Sequence, residues 1–249
     1  MSSKTNKKQK HEKPKHTVES YKNKIMLFLN QGGKKAVSVR ELSSKCRSRQ
    51  GSSANFNLAL RELAEDGIIF IKKQQKIYLS SKLGYFPAKV ARLSRTFGFV
   101  VTDDGTEVFI PGKFLLGALP EDRVLISYIK SRSGSPEGEV IDILKEGNSQ
   151  LTGKIELCDG VPYFVSDTMS KNHITISESE SSEYKIGDKV LAEISYRGKR
   201  HSEHKVRILM SFGDCENASA CSKSILAVHG VREEFPEPVQ RMAQRIAVA

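Results

Sequence analysis

Tryptophan is absent from this chain of 249 residues, and Phe, Trp and Tyr together make up only 7% of it. Rings are scarce enough that any local concentration of them is informative. Cysteine is scarce too: Cys46, Cys158, Cys215 and Cys221 are scattered without a CxxC pair, which argues against a zinc ribbon and gives no disulfide framework. His201 and His204 could be set beside Cys215 and Cys221, but their spacing matches none of the usual zinc patterns. There is no run of about 20 apolar residues, so no membrane span is expected. The N-terminus "MSSKTNKKQKHEKPKH" lacks the apolar segment of a secretory signal, and a cytoplasmic location is expected. No G-x-S-x-G or local Cys-His signature appears. "GGKK" at 32 to 35 lacks the upstream glycine of a phosphate-binding loop.

Acidic residues are the minority charge. Against 29 Asp and Glu stand 40 Lys and Arg, a formal net charge of +11. Such a surplus favours polyanions through long-range attraction and counterion release, so nucleic acid is the first partner to consider, with a generic basic surface as the alternative. Hydrophobic residues at 38% are compatible with folded cores of modest size, so the chain is read as globular.

Five segments are expected. Residues 1–17 are Lys-rich without apolar periodicity and read as a disordered basic arm. Residues 18–82 change character. Tyr21, Ile25 and Leu29, with Met26 and Phe28, sit at helical spacing up to Gly32-Gly33. Ser38 is an N-cap for a short second helix, and "SSANFNLALRELAEDG" gives a third, with Phe56, Leu60 and Leu63 on one face and Gly67 as its stop. "IIFIKKQQKIYLS" then reads as a hairpin around a polar turn from Lys72 to Lys76. Three helices and a hairpin make a winged helix-turn-helix. Its third helix carries Arg61 but also Glu62, Glu65 and Asp66, a poor face for phosphates, so DNA reading in the major groove is not favoured over an ancillary RNA contact or a regulatory role.

Beyond Lys82 the chain turns to short β-rich runs broken by Gly, Pro, Asp and Ser, and it repeats itself. Val124 in "PEDRVLISYI" matches Val190 in "IGDKVLAEIS", and "EGEVIDILKEG" matches "EHKVRILMSFG", both at an offset of 66 residues. Phe99 falls near Phe164 and Ile110 corresponds to Ile176. Two copies of one small domain, 83–147 and 148–212, each hold some five strands, the size of an OB-fold barrel. The fold class expected is α+β multidomain: a winged helix followed by two tandem all-β barrels.

The rings concentrate in "RTFGFVVTDDGTEVFIP", Arg95 to Pro111. Residues two apart in a strand share a face, so Phe97 and Phe99 point the same way, with Gly98 between them read as leaving the pair uncovered for a ligand. Pairing through "DDGTE" brings Phe109 beside them, while Val100, Val108 and Ile110 furnish the apolar face. On these residues alone, core filling and base stacking both stay open. A stacking platform would tolerate any base, because every base has a π-face. The candidate RNA-binding residues are Phe97, Phe99 and Phe109 with Arg92, Arg95 and Lys89.

"TFGFV…EVFIP" resembles the paired RNA-binding motifs of cold-shock domains, roughly K-G-F-G-F-I followed by D-V-F-V-H, with Thr96 in place of the first Gly of that run and Pro111 in place of the His. The "FIP" ending followed by "LLGALPEDRV" is similar to the first cold-shock domain of bacterial ribonuclease R, in the RNase II/RNB family. Glu121 stands where that family usually has Gly, which Gly187 keeps in the second copy. A winged helix and two cold-shock-like domains is also that family's N-terminal order. The resemblance implies an RNA-binding portion of a 3′-to-5′ exoribonuclease that hydrolyses RNA to nucleoside 5′-monophosphates, with single-stranded or structured RNA as partner; the sequence does not give the oligomeric state, for which a monomer is the expectation, and no membrane partner is expected. It also implies that 213–249 is a linker and the start of a catalytic domain. The family's aspartate cluster, which would hold Mg²⁺ ions, has no counterpart here: Asp103-Asp104 belongs to a turn, "ESESSE" to an acidic loop and Glu233-Glu234 to a helix entry. No catalytic residue, metal ligand or cofactor is therefore expected in the chain, which alone is expected to be inactive. The competing reading is a stand-alone cold-shock-type RNA chaperone or a nucleic-acid-binding regulator.

Overall fold

The computed structural model describes residues 17–32, 36–47, 52–72, 75–94, 96–130, 134–169, 173–177, 184–231, 241–242 and 246. The basic arm, the acidic loop at 178–183, Arg95 and the segment from 232 to 240 that holds "FPEPV" lie outside them. The chain divides into two compact units between Pro87 and Ala88.

The first unit opens with α1 (Val18–Gln31), capped by the Thr17 side chain, which accepts from Ser20 N–H. Strand β1 (Val37–Ser38) runs into α2 (Val39–Cys46), where Ser38 Oγ accepts from Glu41 N–H at 3.2 Å, as an N-cap should. Helix α3 (Ser53–Glu65) ends on Gly67, whose φ of +73° lets Gly67 N–H bond Ala64 C=O and Ile68 N–H bond Leu63 C=O. That is a Schellman termination. Strands β2 (Ile69–Lys72) and β3 (Lys76–Leu79) form the hairpin, and β1 joins it in the order β1-β3-β2. Sequence reading did not anticipate β1, which is too short to show alternation. Tyr21, Ile25, Leu42, Phe56 and Leu63 meet in one core with Ile69 and Ile77. The result is the expected winged helix.

The second unit holds two closed five-stranded barrels. The first is built from β4 (Tyr85–Leu93), β5 (Phe97–Thr102), β6 (Glu107–Pro111), β7 (Arg123–Ile129) and β8 (Glu137–Lys145) in the order β4-β5-β6-β8-β7. The second repeats it with β9 (Gln150–Cys158), β10 (Val161–Ser166), β11 (His173–Ile176), β12 (Asp188–Tyr196) and β13 (Lys205–Asp214). In each, the third and fifth strands pair in parallel, Phe109 opposite Glu137 and Thr175 opposite Lys205, and the other pairs are antiparallel. This is OB-fold topology twice over. Helix α4 (Ala218–Val228) follows the second barrel.

Alternation decides what goes inside. Val100, Val108 and Ile110 are fully buried in the first barrel, and Val190, Val206 and Ile174 in the second. Phe164, which the repeat aligned with Phe99, is itself buried in the second core. The position in the second barrel that corresponds to Phe99 belongs instead to Tyr163. Glu121 adopts φ +70° and Gly187 φ +92°, so the turn before the fourth strand is left-handed in both barrels, and in the first it is held without glycine.

The barrels share packing. Leu119, in the β6–β7 loop of the first, is fully buried as part of the second barrel's core. Beside it Asp122, also fully buried, accepts from Leu119 N–H at 2.8 Å and from Gly147 N–H at 2.7 Å, and is forked by Arg197 at 2.6 and 3.2 Å. His201 Nε2 lies 2.7 Å from Ala118 C=O, and His204 Nδ1 accepts from Gly198 N–H at 3.0 Å. No described helix is long and apolar enough to cross a membrane.

Candidate nucleic-acid interface

On β5 the outward positions are Phe97, Phe99 and Val101, and on β6 they are Glu107, Phe109 and Pro111. The register sets Phe99 directly opposite Phe109. The three ring centroids stand 5.5 Å (Phe97–Phe99), 5.3 Å (Phe97–Phe109) and 5.7 Å (Phe99–Phe109) apart, two of the pairs edge-to-face and one tilted, within the range that aromatic pairs favour. All three rings are half-buried. They therefore cover one another and still present ring surface to solvent, while the barrel core is filled from the other side of the same strands.

Gly98 acts differently from its sequence reading. It is buried and faces inward, and a Cβ there would lie 2.7 Å from Leu93 Cδ2, 3.0 Å from Leu115 Cδ2 and 3.3 Å from Arg92 C=O. Its missing side chain makes room for two core leucines rather than opening a path to the rings, because alternate residues of a strand face opposite ways.

Arg92 on β4 sits opposite Phe99 across a register shift at Ala91, and its guanidinium lies 4.2 Å from the Phe99 ring centroid, a cation–π distance. Its Nη2 also donates to both Glu107 oxygens at 3.1 and 3.2 Å. Lys89 stands opposite Val101 and is ion-paired with Glu121. The structure thus brings five of the six candidate residues onto one outer strip of β4, β5 and β6, and Arg95 lies outside the described residues. What the linear reading missed is the carboxylates. Glu107 and Glu121 each hold a platform cation in an exposed pair, the kind worth roughly 0 to 1 kcal/mol, so a phosphate can take the cation over at small cost.

On the second barrel the equivalent strip is weaker. Tyr163 pairs with Glu156 on one side and Thr175 on the other, so a carboxylate stands where the first barrel has Arg92 and a threonine where it has Phe109. The Tyr163 ring lies 5.5 Å from that of His173. Lys154, hydrogen-bonded to Glu156 at 2.6 Å, holds that carboxyl below its ordinary range.

Burial pushes both histidines of the joint below their ordinary pKa, His204 to about 4; its Nε2 lies against the Gly117 backbone without a well-formed hydrogen bond. Their rings are 5.5 Å apart, but among the described residues no three of His, Cys, Asp and Glu gather as a metal site. The joint was legible only in part: Asp122 follows the left-handed turn of "PEDRV", but nothing in the sequence ties it to Arg197, 75 residues on.

The family model described as the Ribonuclease B OB domain matches residues 88–143, and that of the Cold shock domain matches residues 164–236. Ribonuclease R of Thermotoga maritima is 24% identical over 233 residues, covering 90% of this chain and 32% of that protein. Ribonuclease R of Chlamydia pneumoniae is 29% identical over 161 residues, 57% of this chain and 23% of the relative. The chain thus spans a third or less of these relatives. Among solved structures, yeast Ssd1, described as a pseudonuclease, aligns with a TM-score of 0.51 at 13% identity, over 61% of this chain and 25% of that one.

Proposed function

We propose that this chain, which is similar to ribonuclease R in its N-terminal region, is the part of such an exoribonuclease that holds RNA, with a single strand stacked on the first barrel. The observation that carries the reading is the Phe97–Phe99–Phe109 cluster, three mutually supported rings on the outer face of a barrel whose core is complete without them. Bases stack on the rings, and Arg92 and Lys89 exchange Glu107 and Glu121 for phosphates.

Hydrolysis from the 3′ end to nucleoside 5′-monophosphates is proposed for the whole enzyme and not for these residues. Mg²⁺ would supply the water activation there, but no described cluster in this chain fits it, and no step is assigned to this chain's side chains. Their work is to bind and orient RNA.

The test is binding of a labelled single-stranded RNA to the full chain and to Phe97→Ala, Phe99→Ala and Phe109→Ala. Each truncation should weaken binding by about 1 to 3 kcal/mol, or roughly 5- to 150-fold in Kd. Unchanged affinity with a lowered melting temperature would show that the rings serve the fold alone and would refute the reading.

A further inference from the structure

We propose that Glu137 makes the ring platform of the first barrel selective for guanine, its carboxylate accepting from two adjacent donors on the edge of a base stacked on Phe109. This selectivity rests on the stacking function proposed above and adds to it the edge by which a base is read.

The registers of three strand pairs set four side chains in one row across the outside of the barrel. Arg92 of β4 stands opposite Phe99 of β5, Phe99 opposite Phe109 of β6, and Phe109 opposite Glu137 of β8. The last pairing is held by Phe109 N–H, which donates to Pro136 C=O at 3.0 Å. Glu137 faces out with the rings because its neighbour Gly138 faces in: a Cβ on Gly138 would lie 3.1 Å from Ile110 Cδ1 and 3.2 Å from Val108 Cγ1, both core residues, and alternate residues of a strand take opposite faces. Strands lie about 4.8 Å apart, so Glu137 stands one strand beyond Phe109, on the side away from Phe99 and Arg92.

The row has a polarity. At one end the Arg92 guanidinium lies 4.2 Å from the Phe99 ring centroid, and at the other end stands a carboxylate. A nucleotide laid across the rings puts its phosphate on the β4 side, beside the cation, because on the β8 side it would meet Glu137 as a like charge. The base edge farthest from the phosphate then points at Glu137. In a single strand that is the Watson–Crick edge, unpaired and open to hydrogen bonding.

An ionised carboxylate only accepts, through two oxygens, so it selects an edge with two neighbouring donors. Guanine has such an edge, its ring N–H beside its exocyclic amino group. Cytosine and adenine set one amino group beside a ring nitrogen that accepts, and uracil sets its ring N–H between two carbonyl oxygens. Each of these three turns a lone pair toward one of the carboxylate oxygens.

The carboxylate is no requirement of the fold. The same row in the second barrel reads Glu156, Tyr163, Thr175, Lys205, with the charges exchanged end for end. There the fifth strand opens with a cation, and Glu156 is bonded to Lys154 at 2.6 Å with His173 Nε2 at 3.6 Å. Two barrels of one topology thus differ in the charge that borders the third strand, and the base reader belongs to the first.

The experiment measures binding of short oligouridines, carrying one central guanosine, inosine, adenosine, cytidine or uridine, to the full chain, to Glu137→Gln and to Phe99→Ala. The guanosine oligomer should bind the full chain about fivefold more tightly than the uridine one, or better, the low end of what a bidentate base contact discriminates. Inosine, which lacks the exocyclic amino group, should lose most of that gain, and this comparison uses the unaltered chain. In Glu137→Gln the ratio of guanosine to inosine affinity should fall to about one, because an amide no longer offers two acceptors. Removing a negative charge raises the affinity of every oligomer alike, so the ratio is the readout. Equal affinities for guanosine and inosine in the full chain would overturn the inference, as would an unchanged ratio in Glu137→Gln. Phe99→Ala should weaken all the oligomers; if it does so while the full chain shows no preference, the platform stands and the guanine selectivity falls. If no oligomer binds, or Phe99→Ala leaves every affinity unchanged, platform and selectivity fall together.

Discussion

Replacing Asp122 by Ala removes a carboxylate that holds three parts of the second unit together. It accepts from Leu119 N–H, which precedes the first barrel's fourth strand, from Gly147 N–H, where the chain leaves that barrel, and from Arg197 of the second barrel. Each backbone N–H left buried without an acceptor costs about 1 to 3 kcal/mol. Taking one partner from a buried ion pair costs about 3 to 5 kcal/mol, here softened because Arg197 keeps Glu146 at 3.3 Å. These contributions overlap and do not add in full. The expected loss is about 4 to 6 kcal/mol, a large share of a domain stability of about 5 to 15 kcal/mol. With no tryptophan in the chain, the assay is urea unfolding followed by far-UV circular dichroism, with Tyr fluorescence as a second probe. The midpoint should fall sharply for Asp122→Ala. A loss below about 1 kcal/mol would refute the claim that this carboxylate closes the joint between the barrels.

Two further outcomes follow from the same packing. Gly98→Ala drives a Cβ against Leu93 and Leu115, which should lower stability by about 1 to 3 kcal/mol through overpacking while leaving single-stranded RNA affinity within about twofold; a large loss of affinity at unchanged stability would restore Gly98 to the binding surface. His204 should make the second unit acid-sensitive. Its pKa of about 4 in the folded state lies below its ordinary value near 6.5, so its contribution is complete above about pH 6.5 and declines as pH falls toward 4, by at most about 3 kcal/mol. His204→Asn should flatten that decline in urea midpoints measured from pH 7 to 4, and a decline of the same slope in the variant would assign it to other groups.

The order of parts was legible because it rests on local periodicity. Tyr21, Ile25 and Leu29 recur at helical spacing, Phe97 to Thr102 alternate at strand spacing, and the two barrels announce themselves as a repeat through Val124 and Val190. The first two signals are carried by neighbours in the chain and the third by direct comparison of two stretches of sequence, and each element then has only one face to bury. The ring cluster was legible for the same reason, since alternation on β5 together with a short turn into β6 leaves Phe109 nowhere to go but beside Phe99.

What the sequence could not determine depends on residues far apart along it. Phe164 and Phe99 look alike in the repeat, yet one fills a core and the other faces out, because the barrel places Tyr163 where Phe99 stands and Phe164 where Val100 stands, and an alignment wrong by one residue in a strand exchanges its two faces. Glu62 and Asp66 read as obstacles to a phosphate until α1 brings Lys22 against them. Arg92 and Lys89 are candidate RNA contacts by sequence, and only the fold shows that Glu107 and Glu121 hold them. The sequence alone determined which elements form and which faces are apolar. Only the tertiary structure decided which charges remain available to a ligand, because pairing between distant side chains is settled by distance in space.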